Sequence, residues 1–203
     1  MPIVLLMRKN LFPLALALTV TLAFFGRSTP AQAAGDSLSL FGVAYHMFSG
    51  ADDKSLTGST GYVLQFSAER KGKMIRPVYS ADIMYASGTA ALGTDTPDCT
   101  LFNASFLGGI NLFPAPASTL NPYVGASGIV GWGLMKLPTP PTGVDENTQS
   151  LVYGYELRAG IDWRTNGGKN YRLQSSLYSA SGTFAETSGV ALNGFRIGLT
   201  LGF

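Results

Sequence analysis

Four carboxylates, Glu69, Asp82, Glu156 and Asp162, and five guanidinium groups, Arg76, Arg158, Arg164, Arg172 and Arg196, share a habit of spacing: each sits on the polar side of a segment in which apolar and polar residues alternate. Successive side chains of an extended chain point to opposite faces, so all nine are expected on one common surface with charges that nearly cancel. Three chemistries suit such a set. The groups can lock together as ion pairs filling a closed interior, where charge persists only when paired and hydrogen-bonded. They can line a narrow ion path, or they can hold a ligand or catalyse acid–base steps. The packed polar interior is the expectation adopted.

Other reactive residues are few. His46 is the one histidine of the chain, so any Ser/His/acid triad or His-based metal site must include it. It is expected near the outer end of the first strand, close to the membrane interface and in a structural role, and Ser49 would face away from it in a regular strand. Cys99 is the one cysteine, which excludes an internal disulfide, and it is expected as an inert thiol in a loop. Gly108-Gly109 and Gly167-Gly168 lack the strand-then-helix setting of a phosphate loop and read as a close-packing site and a turn. The acidic stretch Ala51-Asp-Asp-Lys54 lacks the residue pattern of a dedicated calcium loop. No metal and no cofactor are expected.

The elements that position these groups are strands. Period-two segments alternate with stretches rich in Gly, Pro, Asn, Asp and Ser, giving eight strands at 37–48, 60–71, 74–87, 101–113, 122–134, 151–164, 170–182 and 191–203. In the sixth, Tyr153, Tyr155, Leu157, Ala159, Ile161 and Trp163 alternate with Gly154, Glu156, Arg158, Gly160, Asp162 and Arg164. The first strand is ambiguous, since Leu38 and Leu40 oppose Phe41, Val43, Tyr45 and Met47. A bulge or an apolar inner face is needed there. Lys71-Gly-Lys73 and Asn166-Gly-Gly-Lys169 read as tight turns, whereas the connections 49–59, 88–100, 135–150 and 183–190 are longer. Short turns inside and long loops outside are the habit of outer-membrane barrels. The link 113–121 breaks it by its length.

Alternation alone does not say which face meets solvent; composition does. Charged residues make up 13% of the chain, against about 25% in an ordinary soluble domain. Too few remain to solvate a strand surface, so the apolar face is assigned to lipid. Tyr62, Tyr85, Trp132, Tyr153 and Tyr155 then fall near the outer strand ends, and Trp163, Tyr171, Tyr123 and Phe203 near the inner ends, as two aromatic girdles require.

The last strand carries the most specific pattern. Phe195, Ile197, Leu199, Leu201 and Phe203 alternate with Gly194, Arg196, Gly198, Thr200 and Gly202. With Arg196, Gly198, Leu201 and Phe203 in place, this stretch resembles the C-terminal assembly signal of outer-membrane β-barrel proteins. Over residues 34–203 the chain is similar to the small eight-stranded OmpA-like and OmpX-like barrels, without a periplasmic peptidoglycan-binding domain. The resemblance implies an all-β, transmembrane, antiparallel up-and-down barrel that is not an enzyme. It implies membrane stabilisation, adhesion or partner contact through surface loops such as Pro138-Thr-Pro-Pro141. Its partners would be outer-membrane lipid, lipopolysaccharide and the barrel-assembly machinery. A narrow porin-like channel is the alternative. A lipid-modifying enzyme is less favoured, because the His-x-Ser-Asn segment of barrel-shaped lipid A deacylases is absent, as is the leading amphipathic helix of the palmitoyltransferase type.

The N-terminal residues suit that destination. Arg8 and Lys9 precede an apolar run at 11–25 and the small-residue stretch Pro30-Ala-Gln-Ala-Ala34, the form of a secretory signal peptide cleaved after residue 33. The run is too short for a spanning helix of about 20 apolar residues. Loss of Arg8, Lys9 and Arg27 leaves the basic groups one short of the acidic groups, without a basic cluster of the kind nucleic acid binding needs. Export to the outer membrane of a Gram-negative cell is expected.

Overall fold

The computed structural model of this 203-residue chain describes residues 37–50, 54–71, 73–92, 94–165, 169–185 and 187–202. The expected signal segment 1–33, the Gly167-Gly168 turn and Phe203 lie outside the described residues. Nine strands follow in order: β1 (Ser37–Phe48), β2 (Leu56–Arg70), β3 (Ile75–Ala90), β4 (Asp98–Leu112), β5 (Leu120–Lys136), β6 (Asn147–Arg164), β7 (Asn170–Phe184), β8 (Thr187–Ala191) and β9 (Gly194–Gly202). Each from β1 to β7 pairs antiparallel with its chain neighbour, and β9 pairs with both β7 and β1. The ring therefore has no open edge, the closure that satisfies backbone groups away from water.

Eight staves make the barrel, because β8 and β9 share the last one. β9 pairs with residues 170–178 of β7, and β8 pairs with the stretch beyond, from Ser181 to Phe184. The stave is interrupted at Leu192 and Asn193, whose backbone bonds to Ala180 and Ser49 hold it in line. The meander is thus the expected one, with most strands longer than expected at the long-loop end. β6 has 18 residues, whereas a tilted strand crosses a bilayer with about 9–11.

Side-chain polarity is the reverse of that in a soluble domain. Tyr62, Val43, Leu157, Leu177 and Leu199 are among many large apolar residues exposed on the outer face, Tyr62 at 72%. Glu69, Arg76, Asp82, Glu156, Arg172 and Arg196 are buried inside. The pattern then inverts towards the long loops. On the outer face the paired row Tyr45–Tyr62–Tyr85–Phe102 is followed two residues on by Met47–Thr60–Ser87–Thr100, and Ser181 and Thr183 continue the hydroxyl band. Inside, the same end is packed with Val63, Met84, Leu101, Met135, Val152 and Phe184. The interior is therefore not polar throughout: an apolar layer of ordinary protein-core character lies over the charged one.

Strand parity decides one open expectation and corrects three. β1 runs in unbroken register with β2 and needs no bulge; its inner face is apolar, with Leu38 and Leu40 buried. His46 shares their parity and points into the barrel, fully buried, and not towards the membrane interface. Cys99 lies in β4 and not in a loop, buried in the apolar layer. Tyr123 is buried in the interior and not in the lipid-facing girdle expected at the inner strand ends. It lies an odd number of residues from Trp132 on the same strand, so the two must face opposite ways.

Candidate functional site

The interior holds one connected polar network built from facing staves. Towards the short-turn end, Glu69 of β2 accepts from Arg76 of β3 at 3.0 Å and Arg172 of β7 at 2.7 Å. Asp162 of β6 accepts from Arg172 Nε at 2.5 Å and stands 3.9 Å from Arg76. Two acids and two guanidiniums thus alternate around a square. Nearer the middle, Arg196 of β9 reaches Asp82 at 2.7 Å and Glu156 at 3.7 Å. Its Nε donates to His46 Nδ1 at 2.9 Å, and its guanidinium lies over the Tyr178 ring. Arg158 pairs with Glu156 at 3.2 Å and donates to Ser127, while Ser176 donates to Glu156 at 2.7 Å.

Asn111 joins the two groups. Its Nδ2 donates to Glu69 at 3.0 Å and its Oδ1 accepts from Arg158 Nε at 2.8 Å. Gly125 makes room for that contact, since a Cβ there would stand 2.1 Å from Asn111 Oδ1. Gly194 does the same for His46, where a Cβ would come within 2.3 Å of Nε2. These glycines clear the lumen for long side chains. Charges held this way in low dielectric are costly to leave unpaired, and the network supplies a partner for each: four carboxylates face four guanidiniums.

Arg164 is the ninth group expected in this set, and the structure leaves it out. Its position has inward parity but lies at the last residue of β6, where the barrel opens; the side chain is exposed and donates to Asn170 at 3.2 Å. The charge balance of the interior is the better for it. An aromatic floor closes the same mouth. Phe113, in the link after β4, is fully buried with Arg76 3.7 Å above its ring, and it stacks on Tyr123 at 5.1 Å. Tyr123 in turn donates to Gln174 at 3.0 Å and lies 4.7 Å beneath Arg172. Phe113 keeps the inward parity of Asn103 and Asn111, and its amide donates to the Met74 carbonyl at 2.7 Å, so it extends the β3–β4 ladder by one residue and fills the mouth from inside.

Phe113, Asn111, Gln174 and Tyr178 are the network members that charge spacing does not reveal. Parity was the available signal, because Asn103 and Asn111 lie on the buried side of β4 with Ser105. Cavities in the charged zone measure about 10 Å³ each, room for about one water. Among the described residues no cluster of His, Cys, Asp and Glu suits a metal ion.

The remaining expected positions lie on the outer surface or the last stave. Tyr62, Tyr85, Tyr153 and Tyr155 are exposed; Trp132 is half-buried, and Trp163 stacks on Tyr171 at 5.4 Å. Arg196 and Gly198 face inward, Leu201 faces outward.

No family model and no curated protein matches this sequence. Among solved structures, the chain is similar to Neisserial surface protein A (NspA), with a TM-score of 0.54, 12% identity, and coverage of 82% of this chain and 97% of that one. It has the fold of the small outer-membrane β-barrels. Ail, the attachment invasion locus protein of Yersinia pestis, in complex with the heparin analogue sucrose octasulfate, also matches, at a TM-score of 0.46 and 12% identity over 83% of this chain and 97% of that one.

Proposed function

We propose that this chain is an integral outer-membrane barrel with a closed lumen, acting as a structural element of the membrane and as a contact surface through its long loops. The observation that carries the reading is the inverted polarity: an apolar belt outside, paired charge inside, and a hydroxyl band with an apolar core beyond the belt. Hydrocarbon is the solvent in which such a belt is stable, and a closed barrel is the form in which strands enter it. The signal segment 1–33 would export the chain. The barrel-assembly machinery would read Arg196, Gly198, Leu201 and Phe203, and lipopolysaccharide would surround the outer rim.

Contact with a partner would fall on the long-loop end, where Asp95, Pro97 and Asp98 face Thr139, Pro140 and Pro141 across an open groove of about 740 Å³. NspA, which shares the fold, is named a surface protein. The tight interior and the apolar layer above it favour a sealed barrel over a channel. His46, enclosed by Phe48 and Tyr178, is out of reach of lipid, which disfavours lipid-modifying chemistry.

The test combines three measurements on the purified chain and on cells. Folding should require detergent or lipid and give a band whose gel migration shifts on boiling. Planar bilayers should show no steady openings. A Cys99→Ser/Thr142→Cys variant should be labelled by an impermeant maleimide on intact cells. A soluble monomer in plain buffer would overturn the membrane reading.

A further inference from the structure

The two ends of the barrel carry opposite charge. At the long-loop end Asp95, Asp98, Asp145 and Glu146 are exposed against Lys54 and Lys136, and Lys136 is already paired with Glu146 at 3.3 Å; the sequence adds Asp52, Asp53 and Glu186 to these loops. At the short-turn end stand Arg70, Lys71, Lys73, Arg164 and Lys169, four of them exposed and Lys71 half-buried. None of the five has a carboxylate within ion-pair distance among the described residues. The acids nearest to them in sequence, Glu69 and Asp162, are turned inward and held by Arg76 and Arg172.

The cations sit directly beside surface apolar groups. Met74 and Ile75, both more than half exposed, follow Lys73. On the opposite side of the ring Trp163 stacks on Tyr171, one pair of residues in from the turn that carries Arg164 and Lys169. Cation, amphipathic aromatic and exposed aliphatic chain in immediate sequence match a lipid molecule: phosphate at the rim, glycerol at the ring edge, acyl chain along the wall. A soluble polyanion would meet the cations but leave the adjoining apolar surface uncovered.

We infer that the short-turn rim binds the phosphate headgroups of anionic phospholipids in the inner leaflet. The inference rests on the membrane-spanning reading above. Juxtamembrane Lys and Arg each gain about 1 kcal/mol at an anionic surface, which is about fivefold in affinity. The acidic outer end offers no such attraction, so the preference should be confined to one face of the bilayer and should weaken with salt.

The two tryptophans, Trp132 and Trp163, report the two ends separately. Trp163→Phe leaves Trp132, near the long-loop end of β5, and Trp132→Phe leaves Trp163 at the basic rim. Each variant is reconstituted in bilayers with brominated phosphatidylglycerol or brominated phosphatidylcholine as the fluorescence quencher. The expected result is quenching of Trp163 that favours phosphatidylglycerol about fivefold or more, and no preference at Trp132. Arg164→Gln/Lys169→Gln should abolish the preference at Trp163 while leaving quenching by phosphatidylcholine intact, which shows that the barrel has still inserted. Equal quenching of Trp163 by both lipids, or a preference that survives Arg164→Gln/Lys169→Gln, overturns the inference alone. Absence of quenching by either lipid overturns the membrane reading and the inference with it.

Discussion

Arg196 and His46 face each other across the seam that closes the ring: they are paired residues of β9 and β1, and the arginine Nε donates to the histidine Nδ1 at 2.9 Å. The first and last staves, far apart in sequence, are therefore joined by side chains as well as by backbone ladder. Arg196 also anchors Asp82 on β3 and stands 3.7 Å from Glu156 on β6, so one guanidinium ties four staves together.

Replacing that group should be severe. Arg196→Met leaves Asp82 buried without its cation, and breaking a buried pair from one side costs about 3–5 kcal/mol. The loss should appear as a lower urea midpoint for the heat-shifted band in lipid. His46→Ala keeps the ion pair but leaves Arg196 Nε without its acceptor and should cost about 1–3 kcal/mol. Arg196→Met/Asp82→Leu should recover part of the loss, because removing both partners lifts the unpaired charge.

Asn111 and Gly125 give a second test. Asn111→Ala removes a bridge to Glu69 and Arg158 and should cost about 1–3 kcal/mol. Gly125→Ala thrusts a methyl group against Asn111 Oδ1 and the Ile110 carbonyl, an overpacking that should cost about 1–3 kcal/mol. The double variant should cost less than the sum of the two, since the collision is with a group already removed. Urea titration of all three in one lipid checks the cycle.

Conduction should require two breaches. Glu156→Gln/Arg158→Gln loosens the charged zone but leaves the layer of Met84, Leu101, Met135, Val152 and Phe184 intact. No steady openings are expected from it in planar bilayers. Openings from this variant alone would show that the apolar layer is not a seal.

Cys99 is 4% exposed and packed in that layer. A maleimide should leave it unmodified in the folded barrel and modify it fully after boiling, read as a mass shift on the two gel bands. Reaction in the folded form would mean that the long-loop half opens.

Much of this architecture is legible from residue alternation, because a sheet with one buried face imposes period two on every strand. The closed meander and the parity of Glu156, Arg158 and Asp162 follow from it directly. What alternation conceals is the third dimension. Met84 and Leu101 fall in segments expected as strands and Phe184 in an expected connection, and nothing in a single strand tells that the interior changes from charged to apolar along its length. Arg164 has inward parity but no neighbours beyond it, and parity does not register where a barrel ends. Phe113 has the parity of Asn111 at the very end of its strand, but parity does not tell that it meets Arg76 and Tyr123 across the mouth.

The reversal of polarity between the Tyr62–Tyr85 row and the Thr60–Ser87 row acts as a waterline. Sliding the molecule outward by a single pair of residues would lift tyrosines into water, and sliding it inward would drown threonines in hydrocarbon. Vertical position is thus written into the wall itself, which holds the long loops at a fixed height above the apolar belt.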